Sequence, residues 1–152
     1  MAHAGETGRA EHVRQAVLDL AMRRVEHGVR AAEGPEVLTL FAQRRICCDV
    51  ALTSNECLKV VPSVAAHPLR RMMEAECRSP FPRMILLSFR PGRLREWQRA
   101  RDEIGLSMTE LWQLNLNGLR FGLADTGIRR RLMLELQLAA AKLDPVLAAS
   151  PI

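Results

Sequence analysis

The stretch Arg24-Val25-Glu26-His27-Gly28 lies between two similar segments, His3-Ala4-Gly5-Glu6 before it and Ile46-Cys47-Cys48-Asp49-Val50-Ala51-Leu52 after it. Corresponding positions in neighbouring segments are 24 residues apart in the first interval and 22 in the second. A β-strand, a loop and a helix occupy about this length of chain. The repeated interval therefore predicts successive βα units whose strands run parallel.

The intervals between these segments carry helical patterns. Residues 10–22 place their apolar side chains on one helical face, and Gly34-Pro35 is a favourable start for a helix over residues 35–45. His67-Pro68 opens a further helix over residues 69–76. These helices are expected to cover the parallel sheet.

The rest of the chain has a different pattern. Residues 84–89 form a single apolar run among prolines, which is compatible with one more strand in poorly matched surroundings. Further on, Ser107 and Glu110 form the signature of a capping box at the start of a helix. We expect one partial α/β domain over residues 1–152, with βα units in residues 1–93 and C-terminal helices in residues 94–145.

Composition limits the class of protein. A chain of 152 residues with 48% hydrophobic and 26% charged residues suits one domain with a core. No apolar run approaches the roughly 20 residues of a membrane helix, and residues 1–6 lack the regions of a signal peptide. We therefore expect no membrane partner and a cytoplasmic location.

The formal net charge of +5 does not indicate a nucleic-acid partner. Lys59 and Lys142 are the only lysines among the 22 basic residues, and the arginines are scattered over most of the chain. A dispersed pattern of this kind is typical of a solvated surface. The four cysteines form no C-x-x-C pair, so they predict neither a metal knuckle nor an oxidising compartment.

Three side chains suited to catalysis lie where the predicted strands end. His3, Glu6 and His27 all occupy this position, and active sites of parallel βα folds are built at the carboxyl edge of the sheet. Each residue alone has a structural alternative. A histidine can be a hydrogen-bonded structural residue, and Glu6 can cap the helix that follows it.

The ordered set of motifs resembles the adenosine deaminase family. The motifs are His3-Ala4-Gly5-Glu6, Arg24-Val25-Glu26-His27-Gly28, Thr53-Ser54-Asn55, Val60-Val61-Pro62-Ser63 and His67-Pro68-Leu69-Arg70-Arg71. They occur in the family's order and with its spacing, and the likeness resumes over residues 98–119. The resemblance covers the chain from residue 2 to about residue 135.

The resemblance implies the C-terminal strands of an incomplete (β/α)₈ TIM barrel with a helical tail, which acts on a purine nucleoside. It implies that His3 is a zinc ligand, that Glu6 protonates the purine ring, and that His27 orients the zinc-bound water and helps to take its proton. The chemistry is consistent, because zinc lowers the pKa of bound water and a nearby carboxylic acid can neutralise charge on a ring nitrogen.

The chain also departs from the family pattern. The family's H-x-H pair, which supplies two more zinc ligands, belongs to a strand before the point at which this chain begins. Glu26 stands in place of a small residue, and we expect its side chain to point away from His27 and to introduce strain. Residues 77–90 correspond to the family's strand ending in T-D-D-P, yet they contain no Asp.

A shift of reading frame explains that last departure. Synonymous codons can be chosen for residues 76–87 such that restoring one nucleotide near Glu76 gives Gly-Val-Pro-Val-Thr-Val-Ser-Thr-Asp-Asp-Pro-Ala, the sequence that the family has there. A compensating shift before Glu96 restores the helical tail. The gene's DNA tests the hypothesis, which is wrong if no single-nucleotide change yields an Asp-Asp pair.

Three functions are therefore weighed. The first is zinc-dependent deamination of adenosine or a related 6-aminopurine nucleoside, with this chain a truncated and inactive fragment. The second is a non-catalytic remnant that associates with itself through open barrel edges. The third, a helix-turn-helix DNA binder over residues 94–119, is not favoured, because such a turn is common in packed helices. Deaminases with an H-x-E and P-C-x-x-C signature are excluded, since neither part occurs here.

Overall fold

A computed structural model describes residues 2–76, 84–86, 93–122 and 124–143. The first part of the chain alternates strands with helices: β1 (Ala2–Ala4), α1 (Ala10–Asp19), β2 (Arg24–His27), α2 (Pro35–Arg44), β3 (Cys47–Val50), α3 (Leu52–Cys57), α4 (Leu69–Glu76) and β4 (Met84–Leu86). The strands form one sheet in the order β1-β2-β3-β4, and every neighbouring pair is parallel. The predicted α/β class with a parallel sheet is confirmed.

The register of the sheet aligns the carboxyl ends of the first two strands. His3 pairs with Glu26, and Ala4 pairs with His27. The amide of Gly28 extends this alignment past the end of β2, because it donates to the carbonyl of Ala4 at 2.9 Å. The loops after β1 and β2 therefore begin side by side.

The helices bury apolar faces against the sheet. The first helix, α1, buries Val13 and Val17, and α2 buries Val37, Leu38 and Phe41. These side chains share one core with residues of the strands such as Val25, Cys48 and Val50. Apolar area removed from water is the main stabilising contribution to a fold of this kind. Helix α1 ends three residues earlier than the sequence predicts.

The predicted C-terminal helices are α5 (Arg93–Asp102), α6 (Met108–Arg120) and α7 (Thr126–Leu143). The predicted capping box at the start of α6 is confirmed: the Ser107 hydroxyl accepts from the amide of Glu110, and the Glu110 carboxylate accepts from the amide of Ser107. Helices α5 and α6 contribute Ala100, Leu111 and Leu114 to the core of the sheet. Among the helices in the described ranges, none combines the length and apolarity that crossing a membrane requires.

A partly buried ion pair connects the sheet to the C-terminal helices. Arg24 Nε donates to the carboxylate of Asp49 at 2.7 Å, and its Nη1 donates to the carbonyl of Phe121 at 2.8 Å. Burial raises the pKa of the Asp49 carboxyl, and the hydrogen bond from Arg24 opposes that rise. This pair connects β2, β3 and the end of α6.

A second buried carboxylate holds the start of α3. Glu96 accepts from the amide of Leu52 at 2.9 Å and from the amide of Thr53 at 3.2 Å. The side chain comes from α5, 44 residues along the chain from Leu52. It supplies acceptors for amides that have no partner inside their own helix.

Replacement of Glu96 by Ala is expected to lower the free energy of unfolding by about 2 kcal/mol, because buried amides then lose their acceptor. The measurement is urea unfolding followed by circular dichroism. The matched control is Glu103→Ala, which removes a surface ion pair with Arg99 and is expected to cost much less stability. Equal losses in the two variants would show that the Glu96 contacts do not stabilise the fold.

Candidate active site

The structure brings His3, Glu6 and His27 together at the carboxyl edge of the sheet. His27 Nε2 lies 3.2 Å from Glu6 Oε1, and the rings of His3 and His27 are tilted against each other with centroids 5.4 Å apart. One ligand atom from each of the three residues lies within 4.8 Å of the other two. The His27 side chain is buried and that of His3 is 65% exposed, so the cluster opens to solvent on the side of β1.

Left-handed backbone at two turns produces this convergence. His27 has a φ of 67° and Gly28 a φ of 62°, so β2 ends in an abrupt turn. Gly5, at φ 74°, makes the corresponding turn after β1, and its carbonyl accepts from the amide of Arg30 at 3.0 Å. Glycine adopts this conformation at little cost, whereas histidine does so with strain. The strained residue is therefore one of the three in the cluster.

Glu26 contacts this cluster through His3, which the sequence did not predict, and the expectation that its side chain points away from His27 stays a prediction. Its carboxylate lies 2.9 Å from His3 Nε2, and the side chain is only 8% exposed. The pairing of His3 with Glu26 places both on the same part of the sheet, and the left-handed turn removes His27 from the strand's alternation. Strain is present, but it lies at His27.

Two further buried polar residues, Asn55 and His67, continue the cluster inward. Asn55 Nδ2 lies 3.1 Å from His27 Nδ1, and Asn55 Oδ1 lies 3.2 Å from His67 Nε2. His67 Nδ1 accepts from the amide of Leu69 at 3.0 Å. Sequence reasoning quoted both residues within family motifs but gave them no role. Asn55 and His27 are 28 residues apart in the chain, so no local pattern signals their contact.

Burial lowers the pKa of His67 to about 4. The imidazole is 5% exposed, and desolvation disfavours its charged form. His67 is therefore neutral at neutral pH.

A parallel βα sheet with two histidines and a glutamate at its carboxyl edge is an arrangement typical of metal-dependent hydrolases. The sequence model of the family described as "Adenosine deaminase" matches residues 1–139 of this chain. The chain belongs to the adenosine deaminase family, whose curated members here are hydrolytic deaminases. The resemblance inferred from the motifs is thus confirmed.

Individual relatives agree with this assignment. Adenosine deaminase of Vibrio cholerae is 33% identical over 137 residues, which is 86% of this chain and 39% of that protein. An amidohydrolase from Burkhoderia ambifaria, crystallised with bound zinc, superposes with a TM-score of 0.77 and 24% identity over 97% of this chain and 42% of its own. Arabidopsis ADAL in complex with IMP gives a TM-score of 0.76 and 23% identity over 92% and 40%.

The share of its relatives' length that this chain covers bears on its function. The chain spans about two fifths of the length of the curated relatives that it matches. The two structural likenesses are below 25% identity and establish the fold. The sequence predicts the altered strand and the reading-frame shift within residues 76–96. Residues 77–83 and 87–92 of that segment lie outside the described residues.

Proposed function

We propose that this chain carries part of the active site of a zinc-dependent (β/α)₈-barrel hydrolase that removes the amino group of adenosine or a related 6-aminopurine nucleoside. The observation that carries the proposal is the convergence of His3, Glu6 and His27 at the carboxyl edge of a parallel sheet. The family match supports the reaction class, and the IMP bound to the Arabidopsis structure supports a purine ligand. A cytoplasmic location fits this role in purine metabolism.

The donor set fits a zinc ion. Imidazole nitrogen and carboxylate oxygen are ordinary zinc donors, and the ligand atoms of the three residues lie within 4.8 Å of one another. His3 would hold the ion, with further ligands from outside this chain. Zinc, when bound, lowers the pKa of a water molecule towards neutrality.

The residues of this chain would then transfer a proton to the purine and orient the attacking water. Glu6, which is 21% exposed and whose Oε1 lies 3.2 Å from His27 Nε2, would carry a proton to the ring nitrogen. His27, buried behind it, orients the attacking water through the nitrogen that faces Glu6. The roles of all three residues are part of the proposal.

The four parallel strands would be half of the barrel. If the reading-frame hypothesis holds, the two aspartates of the restored sequence replace Met84 and Ile85, which pair with Cys48 and Asp49 as part of β4. They would then lie on a neighbouring strand of the same sheet. A protein without them lacks two of the family's side chains even where its strands pair correctly.

The isolated 152-residue chain is expected to release no ammonia from adenosine and to bind less than one equivalent of zinc at micromolar concentration. The reason is that the family uses four protein ligands for its zinc ion, and this chain supplies one of them, His3. Ammonia release and metal content after gel filtration check this. Robust turnover with stoichiometric zinc in the isolated chain would contradict it.

A complemented protein tests the reaction itself. The part of the Vibrio cholerae relative that this chain does not match would be joined to it, with the frame across residues 76–87 restored. We expect deamination of a 6-aminopurine nucleoside, reduced at least about 100-fold by Glu6→Gln. The control Glu11→Gln alters an exposed residue paired with Arg14 and leaves the rate unchanged. No turnover on any 6-aminopurine, in a folded protein loaded with zinc, would overturn the proposal.

The second candidate is a non-catalytic remnant, favoured by the absence of Asp from residues 77–90. A four-stranded sheet of this kind offers its outer strands to other chains, so the remnant would associate with itself. Sedimentation of the isolated chain distinguishes a monomer from such an assembly.

A further inference from the structure

A continuous chain of hydrogen bonds leads from a backbone amide to the candidate active site. It begins at the amide of Leu69, passes through His67 and Asn55, and reaches His27, which faces Glu6. The four distances are 3.0, 3.2, 3.1 and 3.2 Å in that order. His27, Asn55 and His67 are all buried, so the links among these three residues are shielded from water.

The first link fixes the protonation of His67. A backbone N–H can only donate, so His67 Nδ1 must accept and carries no hydrogen. His67 is neutral at neutral pH, because burial holds its pKa near 4. Its one ring proton therefore resides on Nε2, which donates to Asn55 Oδ1.

The second hydrogen bond makes the position of the His27 proton depend on the position of the His67 proton. With Oδ1 of Asn55 occupied as an acceptor, the amide of the same side chain donates through Nδ2 to His27 Nδ1. The orientation of an Asn amide is otherwise ambiguous, but here only one orientation satisfies both histidines. A hydrogen on His27 Nδ1 would oppose the Asn55 N–H, so the His27 proton resides on Nε2, the nitrogen that lies 3.2 Å from Glu6 Oε1.

We propose that Asn55 and His67 are positioning residues that hold His27 as the tautomer protonated on Nε2, so that His27 presents a hydrogen-bond donor to the active site. A nitrogen that already carries a proton cannot accept another there. His27 therefore holds an oxygen atom in place by donation, and Glu6 Oε1 lies 3.2 Å from the donating nitrogen. This assignment deepens the proposed function and rests on it for its catalytic meaning.

The tautomer can be measured in the isolated chain without any turnover. Long-range ¹H–¹⁵N correlation spectra of the full chain distinguish protonated from unprotonated ring nitrogens, and the chain has only four histidines to assign. We expect His27 to show an unprotonated Nδ1 and a protonated Nε2, with the same pattern at His67. A protonated Nδ1 at His27 in the unaltered chain would overturn the proposal without any variant.

The substitution Asn55→Asp tests whether the Asn55 side chain determines the tautomer of His27. A carboxylate has no N–H to donate and accepts instead, so the His27 Nδ1 resonance is expected to move from the unprotonated to the protonated range. Asn117→Asp is the matched control, because Asn117 is equally buried, bonds Gln113 in α6 and is expected to leave the His27 resonances unchanged. An unchanged His27 Nδ1 in folded Asn55→Asp, or an equal shift in the control, would contradict the relay.

The two proposals can fail separately. A wrong tautomer at His27 removes the positioning role but leaves deamination by the complemented protein intact. In the opposite case, a folded, zinc-loaded complemented protein shows the expected tautomer at His27 but no turnover. That result overturns the proposed reaction and leaves the positioning role intact.

Discussion

Replacement of Gly5 by Ala is expected to lower the free energy of unfolding by about 4 kcal/mol. A Cβ at this position would lie 2.5 Å from Cγ2 of Val13 and 3.3 Å from the backbone of Gly28. Val13 is fully buried in α1, and Gly28 belongs to the turn after β2, so neither neighbour can move without disturbing the core. The φ of 74° adds the cost of left-handed backbone at a residue with a side chain.

Gly105 offers a matched control for that substitution. It has a similar φ of 79°, but nothing lies within 4 Å of the position that its Cβ would take. Gly105→Ala is therefore expected to cost about 1 kcal/mol, the backbone contribution alone. Urea unfolding of both variants measures the difference. Equal losses at the two positions would mean that the contact between the β1 turn and α1 is looser than the structure indicates.

Acid is expected to destabilise the chain through His67 by about 2 kcal/mol between pH 7 and pH 5, and by about 3 kcal/mol by pH 4. The folded-state pKa is about 4, whereas the ordinary value is 6.5. Between these values the unfolded chain binds a proton that the folded chain does not. The stability due to neutral His67 is thus complete above about pH 6.5 and is lost as the pH falls towards 4.

The measurement is the free energy of unfolding in urea at pH 7 and pH 5, for the unaltered chain and for His67→Gln. Glutamine does not titrate, so this variant is expected to lose the His67 share of the pH dependence. His12→Gln, at an exposed position of α1, is the control and should retain the full dependence. An identical pH dependence in the unaltered chain and His67→Gln would show that His67 is not held neutral by the fold.

Sequence reasoning succeeded where a local pattern carries the information. The intervals between segments predicted the parallel strands β1 to β3, and Ser107 with Glu110 predicted the start of α6. The rule that parallel strands place functional residues at their carboxyl ends also predicted that His3, Glu6 and His27 meet. The roles assigned to these three residues stay predictions.

The contacts that sequence reasoning missed are those between distant residues. Asn55 and His27 are 28 positions apart, and Glu96 meets Leu52 across 44. No periodicity or spacing rule pairs a buried amide with a particular imidazole, because the pairing is decided by tertiary packing. The contact of Glu26 with His3 was missed for the same reason, because the two residues lie on different strands.

The left-handed backbone of His27 has an evolutionary consequence. Asn and Gly adopt this conformation at lower cost than His, and a single-nucleotide change converts a His codon to an Asn codon. A lineage released from selection for catalysis would gain stability by that exchange. Retention of His27 in present-day copies of the gene would therefore be a sign that the imidazole is still in use.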